Sequence, residues 1–490
     1  CKMCKGHIPA VPDDDQKQVY TLAYSFGLNE AGQLGLGDEG RDKNRKVPTL
    51  IHDLKGVGVV QASLGGWNTT VLTHEGSVYT CGDGNSGKTG HADVIHEYLP
   101  RFRVIEKLEP DARAQLDGDI KHLASGQCYS AAVVEGGGIY TWGQGDNGTL
   151  GHQAFTDKKT PSKISALIEL EFTVKSLVAC GHTHMMAVTS DAGIVGDEIL
   201  MSWGNGKLGQ LGRGDLADKW VPQLLNPENT YDLGESYYTK ASEDWEMGPI
   251  KKIIAGKNHS VALTKSGQVW SWGAAAMGQL GHGQSQTSST NDFFSRNYVN
   301  VLRPKQVSTL ADVNISNIFC GADHCFALSD KHEVYAWGRN SFGQCGTGSG
   351  PSNVWLPTKV AGLSPATIGA NVVDIACGDN HSIALTDKCT IFVFGCGSSG
   401  QLGTGQGISL EEPTLLDFKP DEEVSVSPGK VAVYAGGDHS MIVYPTTNTP
   451  PKVVRKRKAE EEKKAGGNKK AKKGSAKQPA KKKSGTKKKG

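Results

Sequence analysis

Five histidines recur at one position of a repeated motif, three residues after a glycine or at the equivalent place. They are His184, His259, His324, His381 and His439. An imidazole can serve as a general base or a metal ligand, but a catalytic reaction normally needs such a histidine once. A histidine present in repeat after repeat instead indicates a hydrogen bond at a strand start that satisfies buried polar groups. We therefore interpret these five histidines as structural residues.

Motifs of covalent or metal chemistry do not occur in the sequence. It contains no P-loop, G-x-S-x-G or H-E-x-x-H motif, and the single C-x-x-C pair, Cys1 and Cys4, lacks a second pair of zinc ligands nearby. Four tryptophans that could stack on nucleic-acid bases fall in apolar strands, which favours core packing: Trp142, Trp203, Trp272 and Trp337. We expect no covalent catalysis, no cofactor and no metal.

The cysteines show a different pattern from a disulfide framework. Their number is odd, 11, and Cys180, Cys320 and Cys377 lie within apolar strand-like runs. This pattern is typical of buried free thiols in a reducing compartment.

Seven copies of a glycine-rich motif hold these residues. One copy reads YAWGRNSFGQCG (335–346), and successive copies are separated by 55 to 69 residues at their aligned glycines, which are Gly27, Gly82, Gly143, Gly204, Gly273, Gly338 and Gly395. A period of this size is typical of a solenoid or a propeller. The stretch HSVALTKSGQVWSWG (259–273) predicts two strands joined by a tight turn.

The first and last copies are incomplete in complementary ways. VYTLAYSFG (19–27) has no histidine unit before it, and GDHSMIV (437–443) has no Trp-Gly strand after it. Pairing the two closes a ring and removes open sheet edges. We predict an all-β fold, a seven-bladed β-propeller over residues 19–444 closed by pairing of the N-terminal strand with the C-terminal hairpin. A disordered N-terminal extension, 1–18, and a disordered lysine-rich tail, 445–490, flank it.

The charge is divided between an acidic body and a basic tail. Residues 452–490 hold 18 Lys or Arg and 3 Glu, a net charge of +15, and the remaining 35 basic and 48 acidic residues give −13. Lysine clusters of this kind predict a nuclear-localisation signal and contacts with nucleic-acid phosphates, the alternative being a solvated solubility tail. The residues are Lys452, Arg455, Lys456, Arg457, Lys458, Lys469, Lys470, Lys472, Lys473, Lys481, Lys482 and Lys483.

These features predict a location and a set of partners. We expect nuclear localisation, with a nuclear import receptor and chromatin DNA or histones bound through the tail. No run of 18 or more apolar residues occurs, so we expect no membrane partner. Two long insertions, 226–248 and 283–300, carry aromatic residues that could anchor a protein partner or pack within their own loops.

The motifs resemble those of the regulator-of-chromosome-condensation repeat family. GQLGLGD (32–38), YAWGRNSFGQCG and GDNHSIALTDK (378–388) are similar to its consensus, and the resemblance covers residues 19–444. It implies a seven-bladed propeller related to the chromatin-bound factor that releases GDP from the small GTPase Ran. The family also includes a plant ultraviolet-B photoreceptor built on repeated Gly-Trp clusters, of which this chain has one pair, Gly66-Trp67.

The resemblance also implies an exchange face. In the family prototype, polar residues after the glycine of the histidine units contact Ran, and a hairpin in the third repeat wedges against the nucleotide site. The matching or neighbouring positions here are Asp83, Gln127, Asp146, Asn147, Thr183, Asp323 and Asp379.

Two functions follow from this resemblance. One is a chromatin-associated guanine-nucleotide exchange factor for a Ran-like GTPase, which would act by binding the nucleotide-free form more tightly. The alternative is a non-exchanging propeller scaffold for chromatin or protein partners. The residues at Gln127, Thr183 and Asp323 differ from the prototype, and this difference favours the scaffold.

Overall fold

Alternating apolar residues and glycine-bearing turns fold the chain into short antiparallel strands. The computed structural model describes residues 20–94, 97–112, 116–169, 172–191, 198–225, 247–283, 300–420 and 431–446. These residues form seven four-stranded sheets, which we call blades 1 to 7. The innermost strands of neighbouring blades contact one another in a closed circle. The predicted seven-bladed β-propeller is confirmed.

The strands of each blade are given from the channel outward. Blade 1 contains β3 (Val59–Leu64), β4 (Asn68–Thr73), β5 (Val78–Asp83) and β6 (Tyr98–Val104). Blade 2 contains β7 (Ile120–Ser125), β8 (Tyr129–Val134), β9 (Ile139–Gly143) and β10 (Lys158–Lys163). Blade 3 contains β11 (Phe172–Cys180), β12 (His184–Asp191), β13 (Ile199–Gly204) and β14 (Lys219–Leu224). Blade 4 contains β15 (Ile250–Ala255), β16 (His259–Thr264), β17 (Val269–Gly273) and β18 (Val301–Gln306).

The remaining blades follow the same order. Blade 5 contains β19 (Ile315–Cys320), β20 (His324–Ser329), β21 (Val334–Arg339) and β22 (Asn353–Lys359). Blade 6 contains β23 (Val372–Cys377), β24 (His381–Thr386), β25 (Ile391–Gly395) and β26 (Leu410–Leu415). Blade 7 contains β27 (Ala432–Ala435), β28 (His439–Thr446), β1 (Tyr20–Gly27) and β2 (Arg45–Leu50).

Blade 7 closes the ring by joining the two ends of the propeller. β1 pairs antiparallel with β28 over its whole length, from Tyr20 opposite Thr446 to Gly27 opposite His439. This is the closure predicted from the incomplete first and last repeats. It leaves neither strand with an open edge, which would otherwise invite pairing with another chain.

Helical structure in the described residues is limited to short connectors. These are α1 (Ser165–Glu169), α2 (Pro365–Ile368) and 3-10 turns at Arg41–Lys43, His52–Leu54, Asn85–Gly87, Glu106–Leu108, Pro110–Ala112, Asp146–Gly148, Ser308–Leu310 and Ala361–Leu363. No helix in the part of the chain that the structure describes is long and apolar enough to cross a membrane.

The tryptophans of the repeats pack between blades. Trp203, Trp272 and Trp337 are fully buried, and each indole N–H donates to a backbone carbonyl in a loop of the preceding blade, at 3.0, 3.0 and 2.9 Å respectively. Trp142 is equally buried. These indoles therefore fill the space between sheets and are not available for base stacking.

The aligned glycines of the third strands adopt a backbone conformation that other residues avoid. All seven have φ between +99° and +115°. At Gly338, an added Cβ would lie 2.7 Å from His324 Cα and would overlap the Asp323 carbonyl oxygen. Because both neighbours are backbone atoms of the adjacent strand, the site cannot relax by moving a side chain.

We expect Gly338→Ala to lower the free energy of unfolding by about 3 kcal/mol or more, from backbone strain plus overpacking. Urea unfolding monitored by tryptophan fluorescence measures this loss. The matched control is Gly350→Ala, where φ is not positive and the nearest atom is 3.7 Å from the added Cβ. That variant should stay within about 0.5 kcal/mol of the parent, and equal losses for the two variants would contradict the argument.

Candidate partner-binding face

One face of the propeller collects two sets of loops from the blades. The first strand of a blade leads into the second through the histidine unit, and the third leads into the fourth through the glycine-rich loop. Both loops emerge on the same side, because the histidine that begins the second strand lies opposite the glycine that ends the third, as His381 lies opposite Gly395. We call this side the glycine-loop face.

A ring of glycines surrounds the channel on this face. At Gly321, an added Cβ would overlap both the carbonyl oxygen of Gly378 in the next blade and the ring of His324 in its own blade. Equivalent overlaps with the next glycine carbonyl occur around the ring, which consists of Gly65, Gly126, Gly181, Gly256, Gly321, Gly378 and Gly436. The blades can approach this closely only because these positions lack side chains.

The five repeated histidines link neighbouring blades just outside the glycine ring. Nε2 of His184, His324, His381 and His439 lies 2.9 Å from a hydroxyl oxygen in the next blade, and Nε2 of His259 lies 3.1 Å from the Cys325 thiol. Burial lowers the pKa of His184, His324 and His439 to about 3 and that of His381 to about 4. These four imidazoles are neutral at physiological pH, and all five histidines make contacts between blades.

The residue directly after each ring glycine lies at the channel mouth. His182 of blade 3 and Asp379 of blade 6 meet there, with 3.2 Å between Nε2 and Oδ1. Burial acts to raise the pKa of Asp379, but the His182 hydrogen bond, together with electrostatic interactions with His182 and Lys257, outweighs it and lowers the pKa. The pair is separated by 197 residues in the chain and spans the mouth between blades that are not neighbours.

A second carboxylate lies beside this pair. The Asp438 carboxylate accepts a hydrogen bond of 3.1 Å from the Gln401 side chain. Burial, followed by the charge of Asp379, raises the pKa of Asp438. Asp379 was predicted as a site residue from its place in the repeat, whereas His182 and Asp438 were not. His182 lies one residue and Asp438 two residues after a ring glycine, and this position in the repeat was the sequence signal that could have identified them.

Three other predicted residues lie in the same inner loops. The Gln127 carbonyl accepts from the Gly66 N–H at 3.2 Å, and the Thr183 carbonyl accepts from the Asn205 N–H at 2.9 Å. The Asp323 carbonyl accepts from the Arg339 N–H at 2.8 Å, while its carboxylate is 3.5 Å from Gln279 Nε2. Their backbones are held by neighbouring loops, so the side chains stand on a rigid rim.

The remaining predicted residues lie farther from the axis, in the glycine-rich loops of blades 1 and 2. Asp83 is buried, and its carboxylate accepts from Lys88 Nζ at 2.6 Å and from the Asn85 N–H at 2.8 Å. Asp146 is exposed and accepts from Gln144 Nε2 at 2.6 Å. Asn147 has φ of +57° at the tip of the same turn. Asp83 therefore uses its charge inside the blade, whereas Asp146 faces solvent.

An apolar arc runs along this face over blades 3 to 5. Leu208, Met277 and Phe342 occupy the same position in consecutive glycine-rich loops and are 36%, 38% and 36% exposed. The backbone N–H of each donates to the side-chain oxygen of a glutamine two residues later, at 2.8–2.9 Å. Large apolar side chains held rigidly in solvent are typical anchors of a protein interface.

An exposed aromatic pair extends the arc toward blade 2. Phe155 and Trp220 are 52% and 49% exposed, and their rings meet edge to face with centroids 5.5 Å apart. Trp220 also lies against Gly148, next to Asn147. The aromatic pair and the Asp146–Asn147 turn therefore form one continuous surface.

The channel itself is a cavity of about 320 Å³ lined by the inner strands. Asp374 lies in its wall, and burial raises the pKa of that carboxyl to about 6 against the opposing charge of Lys252. Lys252 Nζ donates to Asn317 Oδ1 at 2.9 Å. Within the described ranges, no group of three or more His, Cys, Asp or Glu side chains is placed to hold a metal ion.

Several predicted residues and segments lie wholly or largely outside the described residues. These are the basic residues of the tail between Lys452 and Lys483, the extension 1–18, and the insertions 226–248 and 283–300, of which only the ends are described. The domain boundaries and the roles of these segments stay predictions.

A comparison with protein-family models matches residues 22–442 to the model described as RCC1-like domain. Among curated relatives, the Arabidopsis thaliana ultraviolet-B receptor UVR8 is 29% identical over 403 residues, covering 81% of this chain and 78% of the receptor. The human E3 ubiquitin-protein ligase HERC2 is 33% identical over 366 residues, which cover 74% of this chain but 6% of the ligase. The human regulator of chromosome condensation is 27% identical over 432 residues, covering 86% of this chain and 90% of that protein.

Solved structures show the same fold. The Saccharomyces cerevisiae protein Prp20p, whose structure was described with its binding to Gsp1p and histones, superposes with a TM-score of 0.68 at 21% identity. The match covers 92% of this chain and 96% of Prp20p. A second structure holds yeast RCC1 (Prp20) bound to Kap60, at 20% identity and TM-score 0.68, covering 96% of this chain and 97% of the other. The chain therefore shares its fold with Prp20p, and its relatives carry names of different functions.

Proposed function

Because this chain belongs to the RCC1-like domain family, we propose that it is a guanine-nucleotide exchange factor for a Ran-like small GTPase. The observation that carries the proposal is the glycine-loop face. It combines charged side chains at the channel mouth with a rigid apolar arc on one surface. The regulator of chromosome condensation, which shares 27% of its residues with this chain over 432 positions, and the reported binding of Prp20p to Gsp1p support the choice of partner class.

The exchange mechanism requires no covalent chemistry. A GTPase releases its nucleotide faster when a partner binds the nucleotide-free form more tightly than the loaded form. Leu208, Met277 and Phe342 would supply apolar contact area, and the carboxylates of Asp323 and Asp379 would pair with basic groups of the GTPase. The exposed Asp146–Asn147 turn beside Trp220 corresponds to the wedge region expected from the family resemblance.

The lysine-rich tail supplies the chromatin part of this proposal. Its positive charge would bind DNA phosphates or histone-associated acidic surfaces, and its lysine clusters would bind a nuclear import receptor. Histone binding by Prp20p and the complex of yeast RCC1 with Kap60 support these partner classes. Nuclear action is part of the proposal and is tested together with the tail.

Release of fluorescent GDP from purified Ran tests the exchange activity. We expect the full chain at micromolar concentration to accelerate release, and the double variant Asp323→Lys/Asp379→Lys to lower that acceleration at least ten-fold. Lys331→Glu is the matched control, because Lys331 is exposed in the turn between the second and third strands of blade 5, on the opposite face. Equal rates with and without the protein would refute exchange on Ran.

Residues 1–450 serve to separate the two parts of the molecule. This shortened chain should retain the full rate of GDP release from free Ran. It should also leave a DNA column at lower salt than the full chain, because the tail phosphate contacts are lost. If the shortened chain eluted from the DNA column at the same salt concentration as the full chain, DNA binding by the tail would be refuted. The proposed exchange activity would not be affected by that result.

A non-exchanging scaffold is the second candidate function. The observation that favours it is the internal ion pair of Asp83 with Lys88 at 2.6 Å, which withdraws one carboxylate from the exchange face. The names of the ultraviolet-B receptor and the ubiquitin ligase among the relatives also indicate that this propeller serves other functions. The scaffold would be favoured if the protein bound nucleotide-loaded Ran stably without accelerating GDP release. It would also be favoured if the protein bound no GTPase.

A further inference from the structure

The contact between blades 4 and 5 differs chemically from its equivalents in the ring. At four other blade junctions the histidine Nε2 meets a hydroxyl, that of Ser260, Ser382, Ser440 or Thr69. Between blades 4 and 5 it meets a thiol instead, with 3.1 Å between His259 Nε2 and Cys325 Sγ. Cys325 is fully buried. The Cys325 thiol also lies 3.5 Å from the Gln279 carbonyl oxygen, to which it donates as the equivalent serine hydroxyls donate to glutamine carbonyls.

A second thiol lies directly across the hairpin from Cys325. Cys320, at the end of β19, is the register partner of Cys325 at the start of β20. Directly opposed residues of antiparallel strands have their Cα atoms about 4.5–5.5 Å apart and their side chains on the same face. This separation falls within the range of about 4.4–6.8 Å found for disulfides. Cys320 also lines the channel cavity, which connects it to solvent.

The electrostatics of the pair differ between its two sulfurs. The hydrogen bond from Cys325 lowers the pKa of the Cys320 thiol against the opposing effect of burial, and His259 and Lys252 act in the same direction. Burial and the neighbouring Cys320 raise the pKa of the Cys325 thiol. Cys320 is thus the sulfur that ionises first, and ionised thiols are the ones that oxidants attack.

We propose that Cys320 and Cys325 form an oxidation site that closes to an intrachain disulfide on reaction with a peroxide. The Cys320 thiolate attacks one peroxide oxygen, which forms an S–O bond, breaks the O–O bond and releases hydroxide that is protonated to water. Cys325 then attacks the Cys320 sulfur, and its thiol proton passes to the departing oxygen. The S–O bond breaks and a second water leaves, so two thiols and one hydrogen peroxide become one disulfide and two waters.

The disulfide would act on the glycine-loop face. The loop between the two cysteines, 321–324, contains the ring glycine Gly321 and presents Asp323. Oxidation would tie the base of this loop and remove the Cys325 thiol from its contact with His259. The site therefore couples the redox state of the channel wall to a candidate partner-binding loop.

Two other cysteines of the channel provide internal controls. Cys180 and Cys377 end the inner strands of blades 3 and 6 and line the same cavity. Their register partners are Met185 and Ser382, so neither has a thiol across the hairpin. They should react more slowly with peroxide and form no disulfide of this kind.

Peroxide treatment of the full chain, followed by alkylation and trypsin digestion, tests the site. The tryptic peptide 306–331 contains Cys320 and Cys325 and no other cysteine. We expect this peptide to lose two hydrogens and to become resistant to alkylation. The rate of this change should be at least ten-fold higher than the rate at which Cys180 or Cys377 is oxidised. Oxidation of Cys377 at the same rate, or modification of peptide 306–331 without loss of two hydrogens, would overturn the proposal.

The variant Cys325→Ser separates the two steps. It gives blade 5 the cysteine–serine pair already present as Cys377 and Ser382 in blade 6, so the fold should be retained, which circular dichroism verifies. In this variant Cys320 should accumulate as a sulfenic acid that dimedone traps, whereas the parent protein gives the disulfide and little adduct. Equal dimedone labelling of variant and parent would show that Cys325 does not resolve the oxidised Cys320.

Discussion

Removal of residues 1–27 is expected to abolish the cooperative unfolding transition of the propeller. β1 pairs with β28 along its entire length, and it buries Leu22, Tyr24 and Phe26 to 6%, 2% and 0% exposure. Burial of three such side chains contributes about 5 kcal/mol or more. This amount is comparable with the total stability of a typical domain, about 5–15 kcal/mol. Thermal unfolding followed by circular dichroism measures the loss.

The loss of β1 also exposes the edge of β28, so we expect the shortened chain to aggregate. Removal of residues 1–18 is the matched control, because every described strand stays intact. A synthetic peptide of residues 20–27 added to the shortened chain should restore part of the transition. An unchanged unfolding temperature after removal of residues 1–27 would show that closure of the ring contributes little.

Acidification is expected to destabilise the protein steeply between pH 6.5 and pH 5. Burial lowers the pKa of His184, His324 and His439 to about 3 and of His381 to about 4, whereas an unfolded histidine has a pKa of about 6.5. The stability from these neutral histidines is fully present above pH 6.5. It is lost progressively as the pH falls from 6.5 toward the folded pKa values of about 3 to 4, because the unfolded chain binds protons that the folded chain does not.

The expected slope follows from the number of protons. Burial also lowers the pKa of His91, His152 and His282 to about 4. Near pH 5 each of these seven histidines takes up about one proton on unfolding, and each proton contributes about 1.4 kcal/mol per pH unit. Folded Asp374, with its pKa raised by burial to about 6, binds one proton in this window and offsets one of these seven. The free energy of unfolding should therefore fall by about 8 kcal/mol per pH unit near pH 5, which urea unfolding at pH 7, 6 and 5 measures. Most carboxylates other than Asp374 titrate below this window, so the histidines dominate it.

The chain itself provides the control variant for this slope. Blade 1 carries Asn68 at the histidine position, and its side chain donates to Ser130 Oγ of the next blade at 3.1 Å. His324→Asn should therefore reduce the slope by about 1.4 kcal/mol per pH unit, whatever it does to stability at pH 7. A free energy of unfolding that is flat from pH 7 to pH 5 would contradict the burial of neutral imidazoles.

Much of the fold was predictable because the information is local and repeated. The two-residue alternation of apolar side chains indicates strands, and the recurrence of Trp-Gly and Gly-x-x-His units gives the number of blades. The glycines at the third-strand ends, such as Gly338 with φ of +106°, mark backbone positions that other residues adopt only with strain. The closure by β1 followed from two half-repeats that complete each other.

The candidate site was predictable only in part. Gln127, Thr183, Asp323 and Asp379 share the inner loops, as their common place in the repeats suggested, but Asp83 uses its charge on Lys88 in its own blade. Lys88 is five residues from Asp83, yet sequence patterns do not report whether a charged side chain points inward. The apolar arc could have been found by aligning the repeats. In three consecutive repeats the residue before a Gly-Gln pair is large and apolar, namely Leu208, Met277 and Phe342.

The sequence by itself determined the blade count, the glycine positions and the ring closure, because each depends on a motif that recurs along the chain. Only the tertiary structure decided which side chains meet across blades. His182 reaches Asp379 over 197 residues, and His259 of blade 4 contacts Cys325 of blade 5. Such contacts depend on the ring radius and on the rotation of each blade, which arise from the packing of all seven sheets together.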